Sequence, residues 1–374
     1  MHIAMVHRDL HQRTRGGICT LYRALASSMA TRGHRITLIT QEAPDPVVVE
    51  GVRVVTMPRT EDLVAHRAGV AKLLWQIEPD VIDCSTWEAE TLTYLTDLRP
   101  GRAPVLVRGE FSARTIGAPQ LAHDERQLVR RADRVIAVSH YAARDLADAY
   151  DIAAPAVIYN GIDRRRFCPG PHRAPTSGLW VSLNDEGELI DPTPIRTLLE
   201  SGRPVPPFTP DPRGRIRLVW VGKITPMKGW DLLEQIATQL RDTAVITAVL
   251  GHSARYCPVT PKSAPITVLH DLDDTDMPTV YRSADWLLST SRWEGFGLAI
   301  AEAIACGTPV LLPEHLGVAP ELLASGGGYT YRDVDDLARL LTTRTPRSGT
   351  LPSHFDWGLN AATTLDHYRQ LVHG

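Results

Sequence analysis

The chain has 374 residues, with 40 Lys and Arg against 43 Asp and Glu and a formal net charge of −3. That length exceeds one ordinary core and predicts two domains, while the balanced charge carries no electrostatic footprint for nucleic acid and leaves small anionic ligands open. Five widely spaced cysteines (Cys19, Cys84, Cys168, Cys257, Cys306) without a CxxC pair argue against a disulfide framework or a zinc site and fit a reducing cytoplasm. No run approaches eighteen apolar residues and Met1 leads straight into HIAMVH, so the expectation is a cytoplasmic protein without an integral membrane segment, at most peripheral at a membrane.

In chain order, HIAMVH reads as a first strand, ICTLYRALASSMATRG as a helix and RITLIT as a second strand. Between the first two lies HRDLHQRTRGG, where Gly16 and Gly17 open the helix near Ile18 and Arg8, His11, Arg13 and Arg15 make the loop basic. Glycines there let a backbone approach a ligand, and a helix N-terminus adds positive potential; any tight turn uses such a pair as well. DVIDC, PVLVR and RVIAVS are further short strands, separated by helical segments around Val64–Ile77 and His123–Arg131, with Ser139 placed to cap a helix. Strands alternating with helices imply an open parallel sheet whose ligand crevice lies at the strands' carboxyl ends.

Residues 169–213 hold ten of the 28 prolines, so continuous helix or central strand is improbable there, and SGLWVSLNDEGEL predicts a hairpin around Asn184–Gly187. The strand–helix rhythm then restarts with RLVWVG, AVITAVLG, ITVLH, WLLST and PVLLP, and FDWGLNAATTLDHYRQLV closes the chain as an amphipathic helix. Asp271, Asp273 and Asp274 read as caps of a following helix.

Two segments of the second half carry chemistry. In VWVGKITPMKGWDLL a strand end presents Lys223 and, five residues on, Lys228, two of only four lysines in the chain. Compact ammonium charges at a strand-to-helix loop suit a diphosphate. In ADWLLSTSRWEGFGLAIAEAIACGTPV a strand leads to Glu294, a turn with Gly295, Phe296, Gly297 and Leu298, and a helix containing Glu302. The helix start suits an anionic or hydroxyl-rich ligand, and two carboxylates beside an anion site read as acceptors for hydroxyls, Glu294 from a sugar and Glu302 from a ribose. A solvated helix glutamate and an exposed loop acid are the plainer alternative.

This segment, with its two glutamates seven residues apart, resembles the retaining family 4 glycosyltransferases of the GT-B fold, and RVIAVSHYAARDL and VIYNGIDRRRF are similar to family segments near the domain junction. The resemblance implies an α/β architecture of two doubly wound Rossmann-like domains facing across a cleft: residues 1–168 with 355–374 on the acceptor side, and residues 169–354 on the nucleotide-sugar side with a Pro-rich insertion at about 169–213. The last helix crosses back to the first domain. Lys223 stands where the family usually has Arg, keeping the charge and losing the bidentate fork. Arg108, Gly109 and Glu110 stand where a histidine is often found; Arg108 reads either as a ligand to donor or acceptor or as a salt-bridge partner of Glu110. The implied reaction transfers a hexosyl or N-acetylhexosaminyl group from a nucleoside-diphosphate sugar, UDP- ahead of GDP- or ADP-, to a hydroxyl of a small molecule, saccharide or lipid carrier. Anomeric configuration is retained, and no metal or other cofactor takes part. Lys223, Lys228 and Glu294 are the expected catalytic residues; Gly16, Gly17, Gly295, Phe296, Gly297, Leu298, Glu302, Arg108 and Glu110 are expected to bind substrates.

Other readings of two doubly wound sheets are an epimerase or phosphorylase of similar architecture, a silent sugar-nucleotide-binding subunit, and a nicotinamide-dependent dehydrogenase with Glu42 as its ribose acid. The absence of GxGxxG after the first strand weighs against the last.

Overall fold

Both halves of the chain build a sheet whose central strands are apolar on two faces because helices cover each side. The structure, a computed structural model, describes residues 1–12, 16–183, 189–251, 265–346 and 348–374. It comprises two compact units, Met1–Gly161 with His354–Gly374, and Ile162–Ser353.

Unit 1 contains β1 (His2–Val6), α1 (Gly17–Ala30), β2 (Arg35–Gln41), β3 (Arg53–Met57), α2 (Leu63–Ile77), β4 (Val81–Ser85), α3 (Leu92–Thr96), β5 (Val105–Gly109), α4 (Pro119–Arg131), β6 (Arg134–Ala137), α5 (His140–Tyr150) and β7 (Ala156–Val157). The strands form one sheet in the order β3-β2-β1-β4-β5-β6-β7, and its pairs are parallel. Strand order reverses direction between β1 and β4, the switch point at which open sheets of this kind leave a crevice at their carboxyl ends. Ser139 caps α5, its hydroxyl accepting from the Ala142 N–H at 3.0 Å, as its place before the helix predicts. The chain's last helix, α12 (Trp357–His373), belongs to this unit: Ala361, Leu365 and Tyr368 join Tyr22, Leu25 and Met29 of α1 in one apolar core.

Unit 2 contains β8 (Leu179–Leu183), β9 (Leu189–Pro194), α6 (Ile195–Glu200), β10 (Ile216–Gly222), α7 (Trp230–Gln239), β11 (Ala244–Leu250), β12 (Ile266–His270), α8 (Met277–Ser283), β13 (Trp286–Leu288), α9 (Leu298–Ala305), β14 (Val310–Pro313), α10 (Ala319–Leu322), β15 (Gly328–Tyr331) and α11 (Val334–Thr343). Its sheet order is β15-β14-β13-β10-β11-β12-β8-β9, with the switch point between β13 and β10. Trp220, Trp230 and Trp286 anchor its core.

The Pro-rich stretch extends this sheet rather than merely linking. β8 pairs antiparallel with β12, and β9 with β8, so Pro192 and Pro194 lie on the edge strand, the place in a sheet that tolerates a residue without an N–H. The turn expected at Asn184–Gly187 lies outside the described residues. The aspartates near residue 273 behave differently from the sequence expectation. Asp273 occupies the N-cap of a single 3₁₀ turn (Asp274–Asp276) without a side-chain capping bond, and Asp271 sits 3.2 Å from His270. The engaged acid is Asp276, which accepts from the backbone N–H groups of Thr176 at 3.1 Å and Ser177 at 2.8 Å and so ties the start of the added hairpin to α8.

Candidate active site

Unit 2 places Lys223 one residue past β10 and Glu294 six residues past β13, the two strands that flank its switch point. The loops that follow them are bolted together. Lys228 Nζ donates to Glu294 Oε1 at 2.5 Å, and the same oxygen accepts from Ser291 Oγ at 2.8 Å. Behind this pair, Trp220 Nε1 donates to Thr290 Oγ1 at 2.9 Å and Thr290 Oγ1 donates to the Lys228 carbonyl at 2.8 Å. Arg292 completes the clamp: its backbone N–H donates to Met227 O at 2.9 Å and its guanidinium grips both oxygens of Asp231 at 2.9 and 2.6 Å. The resulting bidentate bond holds the Asp231 carboxyl below its ordinary range.

Gly229 is what allows this approach. Its φ of +65° is left-handed, and a Cβ there would lie 2.0 Å from the Thr290 carbonyl oxygen. Lys228 and Glu294, read from the sequence as a phosphate ligand and a sugar ligand, are thus one half-buried ion pair, with side-chain exposures of 27% and 15%.

From Glu294 the chain turns through buried Gly295, Phe296 and Gly297 into α9 at Leu298. Gly297 takes φ +82° as N-cap, with no side chain bonded across the helix start. The first turn therefore keeps its amide dipoles for whatever lies beyond it. Glu302, one turn into α9, accepts from the Tyr281 hydroxyl at 2.8 Å; that contact orients its carboxylate. Thr290, Ser291, Arg292 and Tyr281 went unread as site residues in the sequence. The available signal was the polar STSR run between an apolar strand and Glu294.

In unit 1, Gly16 is the extended N-cap of α1 (φ −138°), again without a side-chain cap, and Gly17 is the helix's first residue. The loop before them is not a free basic face. Arg8 is 3% exposed, donates to Thr60 O at 3.0 Å and Glu61 at 3.1 Å, and lies 3.3 Å from Glu88; His11 pairs with Asp45 at 3.0 Å. Arg13 and Arg15 lie outside the described residues.

Arg108 departs from both sequence readings. Its guanidinium is fully buried, and its carboxylate partner is Asp83, with Nε 2.9 Å from each oxygen, while Nη2 donates to Thr364 at 3.0 Å. Asp83 also accepts from Tyr22 at 3.0 Å and from Tyr368. Burial opposes the guanidinium charge, but Asp83 beside it holds the Arg108 pKa above the ordinary value. The residue joins β4, β5, α1 and α12 inside the core. Glu110, the first residue past β5, is half-buried.

The sequence profile of Glycosyltransferase Family 4 matches residues 15–166, and that of Glycosyl transferases group 1 matches residues 207–343. The chain belongs to the family 4 glycosyltransferases of the GT-B fold. A curated relative, the D-inositol 3-phosphate glycosyltransferase of Kineococcus radiotolerans, is 28% identical over 288 residues, 66% of this chain and 59% of its own length. The chain thus spans less than two thirds of that relative's length. Among solved structures, sucrose-phosphate synthase from Thermosynechococcus elongatus superposes with a TM-score of 0.72 at 17% identity, covering 99% of this chain and 98% of its own. Anabaena HepE in complex with UDP and glucose does so with a TM-score of 0.64 at 16% identity, covering 100% and 97%. These matches do not favour the epimerase, phosphorylase or dehydrogenase readings. Among the described residues no helix is long and apolar enough to cross a membrane.

Proposed function

We propose that this glycosyltransferase moves a hexosyl or N-acetylhexosaminyl group from a nucleoside-diphosphate sugar to an acceptor hydroxyl with retention, and that its donor site is the carboxyl end of β10 and β13. The observation that carries the reading is the Lys228–Glu294 pair at the switch point of unit 2, beside the uncapped start of α9. An ammonium, an adjacent carboxylate and a helix N-terminus together offer one partner for a phosphate, one for sugar hydroxyls and a dipole for the developing charge.

In the proposed step the donor's anomeric C–O bond to the diphosphate breaks and a bond to the acceptor oxygen forms on the same face. The acceptor proton passes to the departing diphosphate oxygen. Lys223, Lys228 and the α9 amides stabilise that leaving charge; Glu294 positions donor hydroxyls, and Glu302, steadied by Tyr281, holds the ribose. Because these groups offset the diphosphate charge, the route calls for no metal. UDP is the proposed donor nucleotide, in keeping with UDP bound in HepE, and Gly16 and Gly17, at the start of α1, are proposed to bind substrate within unit 1.

The test is a panel of UDP-, GDP- and ADP-sugars screened by thermal protection of the purified protein, followed by product anomer analysis with chelator present. Lys228→Met and Glu294→Gln should each cost about 10²–10³-fold in kcat, the range for a lost transition-state electrostatic contact. A Lys228→Met enzyme that stays folded and turns over at the wild-type rate would refute the donor site.

A further inference from the structure

Two thiols that the donor chemistry leaves unused converge on one guanidinium in unit 2. Cys168 follows the VIYNGIDRRRF segment, and Cys306 is the C-cap of α9. Far apart in the sequence and without a CxxC spacing, they carry no pairing signal of their own. Both are free thiols.

Arg282, in the last turn of α8, brings them together. Its Nε donates to the Cys168 carbonyl at 2.8 Å and its Nη2 to Cys168 Sγ at 3.5 Å. Burial pushes the Cys306 thiol up to about 12; Arg282 opposes that shift by its charge and by a side-chain hydrogen bond, and the nearby Cys168 thiol adds to it. The flanking backbone is in contact as well. A Cβ at Gly307 would meet the Pro169 ring at 3.6 Å, and one at Gly170 would meet the Arg282 guanidinium carbon at 3.1 Å.

The two sulfurs differ in access. Cys306 is 4% exposed, whereas Cys168 is half-buried, with its thiol donating to Arg165 O at 3.8 Å. A partly exposed thiol beside a cation is the setting in which sulfur meets oxidants, and a second thiol close by is placed to resolve the product. Behind the pair lies the Glu302 side of α9. Tyr281, adjacent to Arg282, donates to Glu302, while the Glu302 carbonyl accepts the Cys306 N–H at 3.0 Å. Thr308 Oγ1 donates to the Tyr281 carbonyl at 2.7 Å. Because Arg282 bonds both thiols, a bond between the sulfurs, which demands its own narrow geometry, displaces the guanidinium and loads the α8–α9 contact that orients Glu302.

We propose that Cys168 and Cys306 form a reversible disulfide when the protein meets a hydroperoxide, and that this bond weakens nucleotide binding at the donor site. The second half rests on the donor reading above; the first does not. In the opening step the Cys168 sulfur attacks a peroxide oxygen, the O–O bond breaks and water leaves, giving a sulfenic acid on Cys168. The Cys306 sulfur then attacks that sulfur, the S–O bond breaks, and the hydroxyl departs as water with the Cys306 proton. The two thiols give up two electrons, the peroxide accepts them, and two waters result.

The experiment treats the full chain with a small excess of hydrogen peroxide, alkylates the remaining thiols and maps the peptides by mass spectrometry, with UDP affinity measured by calorimetry before and after. One cross-linked peptide pair should join Cys168 to Cys306, and UDP binding should weaken at least about threefold and recover with dithiothreitol. Cys168→Ser should give no cross-link and bind UDP equally before and after peroxide. Cys306→Ser should stop at the sulfenic acid on Cys168, captured by dimedone; if that buried substitution fails to fold, Cys168→Ser at the half-buried position still decides. Full alkylation of both thiols after peroxide, a link from Cys168 to another cysteine, or a disulfide that weakens UDP binding less than about threefold overturns the proposal. UDP that fails to bind the reduced protein brings down the donor reading and the nucleotide half of the inference, while the cross-link still tests the pair itself.

Discussion

Gly229→Ala asks whether the contact between the two donor-site loops is as tight as the geometry states. The residue sits at φ +65° and ψ 42°, where an alanine costs about 1–2 kcal/mol for its left-handed conformation alone. The added Cβ would also stand 2.0 Å from Thr290 O and 2.9 Å from Thr290 C, inside the 3.0 Å that real Cβ contacts essentially never breach. The obstacle is backbone, so the loop must withdraw by about 1 Å, adding about 1–3 kcal/mol of the kind seen on overpacking. The expected loss is therefore about 2–5 kcal/mol, read as a shift in urea midpoint at constant slope. Gly202 supplies the control: its φ is +73° and nothing lies within 4 Å of where a methyl group would stand, so Gly202→Ala should show only the conformational part. Lys228 rides on the displaced loop, and a misplacement of about 1 Å should reduce kcat/KM on the order of 10²-fold. If Gly229→Ala and Gly202→Ala lose the same stability within about 0.5 kcal/mol, the steric argument fails.

Arg108→Met should cost about 3–5 kcal/mol, because it strands Asp83 as a buried charge, and Asp83→Asn in that background should give back part of the loss; thermal melts of both variants check this, and a loss below about 1 kcal/mol from Arg108→Met contradicts the buried-pair account. Glu125 predicts a pH dependence. Burial lifts its carboxyl to about 7, where it accepts from Ala113 N–H at 2.9 Å and from Tyr150. A carboxyl raised on folding contributes fully below its unfolded value of 4.5 and loses that contribution as pH climbs through about 7, at most about 3 kcal/mol in all. Glu125→Gln should flatten the fall in melting temperature across that window and stabilise the protein above it; an unchanged slope would show that Glu125 titrates normally.

What the sequence settled by itself was local. Runs such as HIAMV and AVITAVL are apolar at all but one position each, which suits strands covered on both faces, and the step from WLL through Glu294 and the glycines into LAIAEAIA names a strand, a loop and a helix start before any contact is known. Proline density likewise kept the segment after residue 168 out of the sheet centre. Pairing was beyond such reading, since 36 arginines and 43 acids permit far more ion pairs than spacing can rank. Arg108 was weighed against its neighbour Glu110, yet parallel pairing of β4 with β5 brings Asp83 beside it instead. Lys228 meets Glu294 across 66 residues because β10 and β13 are adjacent in the sheet. Glu88 owes its left-handed backbone, φ 59°, to Arg67 on α2, which donates to its carbonyl. Hydrophobic period is a property of a few consecutive residues, whereas the partner of a charge is chosen by which strands lie side by side, and only the tertiary structure decides that.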